Sequence, residues 1–422
     1  MDPLRAPLST AEIIAVGSEL LGTSRLDTNS LFIAGRLAGI GVDLRAKSVV
    51  GDDRGTLASI FAQALSRVDL VVLTGGLGPT DDDMTRDVVA QVLERELSED
   101  PSIVAAIERR FARRGLTMPA NNRRQAMVPR GAKVLDNPNG TAPGLYIEHN
   151  DKVVILLPGP PREMQPMIAG LCEGLLGARA GAERSYTTSL FVTGRTESHL
   201  EEIVQPIYSR WVTETPAIQT TILAAPGQIE LHLTTRATEA QAARARLDAA
   251  RDELLAAVGD AVFSTEGLYL EEVVGRQLKN RGLTIAAAES CTGGLFISRL
   301  TDIPGSSAYV VGGTIAYSND VKVQQLDVPA DLLAAHGAVS EAVAVAMAEG
   351  VRRRQQADVG VGITGIAGPD GGTPQKPAGT VCIAVIGPDA VARVRTFSFP
   401  GGRAQVKFQA TQSALDMVRK LL

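Results

Sequence analysis

VDLVVLTGG, residues 68–76, is the stretch whose reading decides the fold. Its apolar run has strand length and no polar alternation, so both faces of the strand are expected in the core, and the chain leaves the sheet through two glycines. TAEIIAV (10–16) and DKVVILLPGPP (151–161) repeat the theme. Between them TNSLFIAGRLAGIG (28–41) has helical spacing, with Leu31, Ala34, Leu37 and Ala38 expected on one buried face and Gly41 as its stop. Continuous apolar strands separated by amphipathic helices predict an α/β domain, a parallel sheet covered by helices on both faces.

Three blocks divide the 422 residues: 1–177, 178–262 and 263–422. The second holds SLFVTG, the helix TESHLEEIVQPIYSRW, two strands around the Pro-Gly turn of TTILAAPGQIELHLTT, and a long helix from Thr238 to Val258. This small α+β order resembles KH-type domains but lacks the G-x-x-G loop that clamps RNA there, so a linker or dimerisation unit is expected. The third block is again α/β.

Composition agrees. Aromatics are only 4%, so the cores must be built from Ala, Val, Leu and Ile, as α/β layers are. Net charge is -5, and ERRFARR (108–114) is the densest basic run. We read it as a solvated helix face, so nucleic acid is not an expected partner. Cys172, Cys291 and Cys382 are far apart with no C-x-x-C, which argues against structural zinc and a disulfide scaffold. Residues 1–10 lack a basic start and an apolar core, and no apolar stretch approaches about 18 residues, so neither a secretory signal nor a membrane span is expected. The expectation is a cytoplasmic protein.

TGGLGPTDDDMT (74–85) lies where a strand hands over to a helix, the edge at which open α/β sheets bind ligands. Gly75, Gly76 and Gly78 let a ligand approach the backbone, and helix-start N–H groups suit phosphate. Asp81, Asp82 and Asp83 would repel a bare phosphate. A divalent cation bridging a diphosphate would use both halves of the loop. An aspartate capping the helix is the plainer alternative. GSELLGTSRLDTN (17–29), NPNGTAPG (137–144) and LPGPPREM (157–164) are polar loops that a parallel sheet could bring to the same edge.

LTIAAAESCTGGLF (283–296) poses the second question. Ser290 follows a strand, and helix-start N–H groups near Gly293 and Gly294 are candidate oxyanion donors. Serine needs a base. His336, in AAHGAVS, would complete a Ser-His-Asp triad. YSNDVK offers Tyr317 and Lys322 instead, a buried neutral lysine or a tyrosine poised by one, although both also fit an ordinary strand end and helix surface. Cys291 is the rival nucleophile, facing another way on the turn. In GITGIAGPDGG (362–372), Thr364, Gly365, Ala367 and Gly368 make a loop that a flat ring and a phosphate could approach closely.

Together, GSELL…DTN, TGGLGPTDDDMT, NGTAPG and LPGPPREMQPM resemble the N-terminal part of the CinA (competence/damage-inducible) family. That part is similar to molybdopterin-binding domains, in which a G-G-x-G loop and a following Asp-x-Thr, here Asp83 and Thr85, contact the ligand. The resemblance implies a three-layer fold and ligand contacts from Glu19, Asp27, Asn29, Gly75, Gly76, Gly78, Thr85, Asn139 and Gly140. It also implies a divalent metal (Mg, Mn or Co) at Asp82 and Asp83, and hydrolysis of ADP-ribose to AMP and ribose 5-phosphate. One position departs from the pattern: Thr23, preceded by Gly22, stands where the family carries a glycine. AESCTGG, YSNDVK, HGAVS, GITGIAGPDGG and FPGGR (399–403) resemble the family's C-terminal domain, which is similar to the PncC enzymes that deamidate nicotinamide mononucleotide (NMN). That resemblance implies Ser290 as nucleophile, activated by Tyr317 and Lys322 without a metal, and a homodimer. The expectation is a bifunctional pyridine-nucleotide salvage enzyme. The alternative is a non-catalytic pterin- or nucleotide-binding protein acting in competence or DNA repair by association.

Overall fold

The computed structural model describes residues 6–422. The first half of the stretch read for a leader, residues 1–5, lies outside them. The chain divides into two compact units, one with the residues up to Tyr186 and Arg236–Ala242, the other with Thr187–Thr235 and Ala243–Leu422.

In the first unit the chain runs β1 (Thr10–Val16), α1 (Asn29–Gly39), β2 (Asp43–Val50), α2 (Arg54–Arg67), β3 (Leu70–Thr74), α3 (Thr85–Val92), β4 (Leu97–Glu99), α4 (Pro101–Ala112), β5 (Met127–Pro129), β6 (Lys133–Leu135), β7 (Gly144–His149), β8 (Lys152–Leu157), α5 (Pro161–Glu173) and α6 (Leu175–Arg179). The main sheet has the order β2-β1-β3-β8-β7-β6. β2, β1, β3 and β8 are parallel, whereas β7 is antiparallel to β8 and β6. The fully parallel sheet expected from the sequence is therefore corrected at one edge. Only Asn150 and Asp151 separate β7 from β8, too few residues for a crossover, and a hairpin pairs its strands antiparallel.

Successive strand residues serve opposite layers. Ile13 packs with Ile33 and Leu37 of α1 and Met164 and Ile168 of α5. Its neighbour Ile14 packs with Leu57 and Phe61 of α2 and Val88 and Val89 of α3. Every residue of β3 is buried, as a strand covered on both faces requires. The expected face of α1 holds at Leu37 and is corrected elsewhere: Ser30 and Ile33 are buried, while Leu31 is 62% exposed and Ala38 is exposed. Leu31 and Ile33 lie about 200° apart around a helix, so only one of them can face the sheet. Leu37 is in the core as expected and Ala34 packs against it, but Ile33, one turn before Leu37, is buried in place of Leu31.

The chain continues through β9 (Arg184–Val192), α7 (Glu197–Trp211), β10 (Ile218–Ala225), β11 (Gln228–Ala237), α8 (Ala240–Val258) and β12 (Val262–Ser264). Their sheet has the order β10-β11-β9-β12, with β10 and β11 forming the hairpin read from the Pro-Gly turn. Then come α9 (Leu270–Arg281), β13 (Ile285–Glu289), α10 (Leu295–Thr301), β14 (Val310–Ile315), α11 (Asn319–Leu326), α12 (Ala330–His336), α13 (Glu341–Gln355), β15 (Val359–Gly365), β16 (Thr380–Ile386), β17 (Ala392–Ser398) and α14 (Arg403–Leu421). This second α/β sheet runs β14-β13-β15-β16-β17, parallel about β13 and antiparallel beyond β15. α9, α10 and α14 cover one face and α11 and α13 the other. All three cysteines are free and buried. Among the described residues no helix is long and apolar enough to cross a membrane.

Candidate active sites

At the carboxyl ends of β1, β3 and β8 the following loops meet around a cleft of about 650 Å³. Glu19, Asp27 and Asn29 line it from the first loop, and Gly75, Gly76, Gly78, Asp82 and Asp83 from the second. The backbone makes this approach possible. Gly75 has φ +104°, and a Cβ there would lie 2.1 Å from the Val16 carbonyl oxygen. Thr85 is not in the lining. It is fully buried, and its hydroxyl donates to the Gly75 carbonyl at 2.8 Å, so it braces the loop from beneath. Asn139 and Gly140 also lie outside this cleft. The Asn139 amide donates to the Arg162 carbonyl, and Gly140 lines a neighbouring groove.

The cleft is acidic. Asp52 and Glu163 add their carboxylates to those of Glu19, Asp27, Asp82 and Asp83, against the single guanidinium of Arg25. Sequence reading missed Asp52, which reaches the site from the end of β2, and Glu163, which was inside a quoted motif with no role. Glu163 is buried and accepts from the Asn137 side-chain amide at 2.8 Å, which pins the NPNGTAPG loop. The Asn29 side-chain carbonyl is buried and receives no donor among the described residues. Its amide is committed to the Gly159 carbonyl at 2.7 Å, so the oxygen is free for a ligand N–H or O–H.

No aspartate of the triplet caps α3, whose N-cap is Met84 with no side-chain cap bond. Asp81 pairs with Arg124 at 2.8 Å, and the Asp83 carboxylate accepts from the Thr80 N–H at 2.9 Å. Among the described residues no three carboxylate, imidazole or thiol groups are gathered to hold a metal unaided. Magnesium needs no such cage, since one or two carboxylates plus substrate phosphates commonly suffice. Asp82 and Asp83, adjacent in the cleft lining, fit a cation whose remaining ligands come from a bound diphosphate and water.

In the second unit, Ser290 sits immediately beyond β13, its N–H donating to the Ile363 carbonyl of β15 at 2.9 Å. Lys322, on α11, brings its Nζ to 3.2 Å from Ser290 Oγ and 2.8 Å from the Ala316 carbonyl. Lys322 is 1% exposed, and burial pushes its pKa down from the ordinary lysine range. Tyr317 is placed differently from the expected relay. It is exposed, and its phenol oxygen accepts from Arg403 Nη2 at 2.9 Å rather than bonding Ser290 or Lys322. The lysine reaches the serine directly.

Cys291 packs into the apolar core and burial pushes its thiol up to about 12, which makes it an inert neighbour. His336 ends α12, and its ring makes no hydrogen bond among the described residues. The oxyanion donors also need correction. The Gly294, Phe296 and Ile297 N–H groups all donate to the buried Glu289 carboxylate at 3.0–3.1 Å, and the Gly293 N–H closes onto the Ser290 carbonyl. A strand-end carboxylate folded back onto the helix start has consumed them. Among the described residues the Cys291 and Thr292 N–H groups donate to no other residue, which leaves them uncommitted one and two positions after Ser290.

The glycine-rich loop after β15 is tied in place. The Thr364 hydroxyl donates to the Ala338 carbonyl at 2.8 Å, Gly365 ends the strand opposite Val381, and Ala367 is buried. Arg403 Nη1 donates to the Gly368 carbonyl at 3.2 Å, so this arginine joins the loop to Tyr317. One turn further along α14, Lys407 Nζ lies 3.7 Å from where a Cβ of Gly293 would be. Sequence reading quoted FPGGR without giving Arg403 a role and passed over Lys407. Their spacing of four on a helix was the available signal.

Residues 12–178 match the family described as "Probable molybdopterin binding domain" and residues 268–422 match "CinA C-terminal domain". A "CinA-like protein" of Koribacter versatilis is 46% identical over 98% of this chain and 99% of its own. A "Putative competence-damage inducible protein" of Symbiobacterium thermophilum is also 46% identical, over 98% of each chain. Among solved structures, that of the competence/damage inducible protein CihA from Agrobacterium tumefaciens is 38% identical, covering 36% of this chain and 94% of its own with a TM-score of 0.35.

Proposed function

Since the chain belongs to the CinA family, we propose that it is a two-site hydrolase of pyridine-nucleotide breakdown products. The C-terminal site converts NMN to nicotinate mononucleotide and ammonia. The N-terminal site splits ADP-ribose to AMP and ribose 5-phosphate. The family resemblance also carries a cytoplasmic homodimer into this reading.

The observation that carries the proposal is the Ser290–Lys322 pair, a hydroxyl 3.2 Å from a buried amine. With its pKa lowered by burial, neutral Lys322 takes the serine proton as Oγ bonds to the carboxamide carbon of NMN. The Cys291 and Thr292 N–H groups are the donors available to the resulting oxyanion. The C–N bond then breaks, and Lys322 returns the proton to the departing ammonia. Water, giving a proton to Lys322, adds to the acyl carbon. Cleavage of the ester returns the proton to Oγ and frees nicotinate mononucleotide. Arg403 and Lys407 supply positive charge for the phosphate.

For the N-terminal site, a cation held by Asp82 and Asp83 would neutralise charge on the diphosphate. The chain's own part is to hold the ligand: the glycine loop admits the diphosphate, Asn29 accepts from a ligand donor, and Glu163 fixes the facing loop. Hydrolysis adds water across the P–O–P bridge, OH to one phosphorus and H to the leaving phosphate. Magnesium-dependent cleavage of ADP-ribose is the assay that separates this reading from the binding-only alternative for this unit.

The test of the main proposal is ammonia release from NMN in EDTA by the wild type beside Ser290→Ala and Cys291→Ala. Release by the wild type and Cys291→Ala, but not by Ser290→Ala, supports it. Release by Ser290→Ala would sink the assignment.

A further inference from the structure

ERRFARR, expected to be a solvated helix face, forms one side of a concave site. Arg109, Arg110 and Arg113, on α4 and just past its end, line a groove of about 520 Å³. Asn137, Gly140 and Thr141 of the NPNGTAPG loop line it too, and Asp136 is its single carboxylate. Two other arginines of this unit are paired with acids, Arg123 with Glu99 and Arg124 with Asp81. Among the described residues no acid forms a salt bridge with Arg109, Arg110 or Arg113. Arg110 is occupied in another way, donating to the Pro138 carbonyl at 3.0 Å and so holding the loop. Arg109 and Arg113, four residues apart on adjoining turns, keep their charge for the groove.

The groove and the acidic cleft are neighbours. Thr141 lines both. Gly140, in the groove, backs onto Glu163 of the cleft so closely that a Cβ on it would lie 1.8 Å from Glu163 Oε2. The loop is thus a thin partition between two sites of opposite charge. The acidic side accepts a diphosphate only in the company of a cation. The arginine side attracts an anion by itself, and guanidinium forks match phosphate oxygens in pairs.

The geometry points to a substrate for the N-terminal unit that carries a phosphomonoester in addition to its diphosphate, with the monoester seated on Arg109 and Arg113. This rests on the diphosphate-hydrolysis reading above and deepens it by naming the substrate class. Unmodified ADP-ribose lacks such a group, whereas ADP-ribose 2'-phosphate carries one.

The experiment compares hydrolysis of these two compounds, with magnesium, by the full chain and by R109A/R113A, leaving Arg110 in place. Wild-type kcat/KM is expected to be at least about tenfold higher for the 2'-phosphate, and the double substitution to remove that preference through KM. Equal wild-type kcat/KM on the two compounds, or an equal loss on both in the variant, overturns the proposal. If the wild type hydrolyses neither, the hydrolysis reading has failed and titration calorimetry with the same compounds decides the groove. Tighter wild-type binding of the 2'-phosphate, abolished in R109A/R113A, upholds it. Equal binding of the two compounds, or none, overturns it.

Discussion

Lys322 carries the heaviest demand of any side chain in the C-terminal unit. It is buried with one carbonyl and one hydroxyl for company. Burial favours the neutral amine, which is the form a base requires. Ammonia release is therefore expected to rise with pH and level off below the ordinary lysine range. Lys322→Arg, which keeps the charge but cannot give up its proton, is expected to lose about 10²–10⁴-fold in kcat. The same group costs stability. Between its lowered folded pKa and its ordinary value, the unfolded chain holds the proton and the folded chain does not, so stability climbs with pH through that window; below it the folded state bears the whole cost of the buried charge. Lys322→Met is accordingly expected to raise Tm at neutral pH by about 2–4 °C while abolishing deamidation, as melting curves beside an ammonia assay would register. A fall in Tm would mean that the bond to the Ala316 carbonyl outweighs burial.

At the scale of elements, the junction of β13 and α10 decides where Ser290 points. Glu289 is 1% exposed and accepts three backbone N–H groups at the start of α10. Bonds to an ionised acceptor contribute about 1.5–3 kcal/mol each before non-additivity, so Glu289→Ala is expected to destabilise by roughly 2–4 kcal/mol. Urea unfolding would measure it as a lower midpoint, and deamidation should fall with it because Ser290 is the next residue. An unchanged midpoint would deny the carboxylate this role. The same junction shows what was legible. Strand, turn and helix were read correctly from apolar period and glycine placement, both local properties. That Glu289 would take the helix-start N–H groups was not legible, because the claim depends on a side chain turning back over residues that follow it. Tyr317 illustrates a similar limit. Its place beside the site could be read, but its partner Arg403 is 86 positions away. In the N-terminal unit the glycine loop was legible, while Asp52 was hidden because only the register of β2 beside β1 carries it to the cleft.

For the whole molecule, the two proposed sites fall one in each compact unit. Every residue lining the acidic cleft precedes Tyr186, and Ser290, Lys322, Tyr317, Arg403 and Lys407 all follow Ala243. The proposed Ser290 chemistry needs an amine and backbone donors, whereas a cleft lined by six carboxylates and one arginine repels a diphosphate that has no cation with it. The two activities should therefore come apart under the same treatment. EDTA is expected to stop ADP-ribose hydrolysis and leave ammonia release from NMN within about twofold of its starting rate, because sites with no shared partners respond independently. Asp83→Ala should reproduce the EDTA result, and Ser290→Ala should give its mirror image. Parallel rate assays on one preparation, with an unfolding curve for each variant, make the comparison. Loss of both activities in Asp83→Ala with an unaltered unfolding curve would show that the units are coupled, and would overturn the division of labour. Loss of both with a lowered curve would instead trace the effect to Thr80, whose N–H would lose its acceptor.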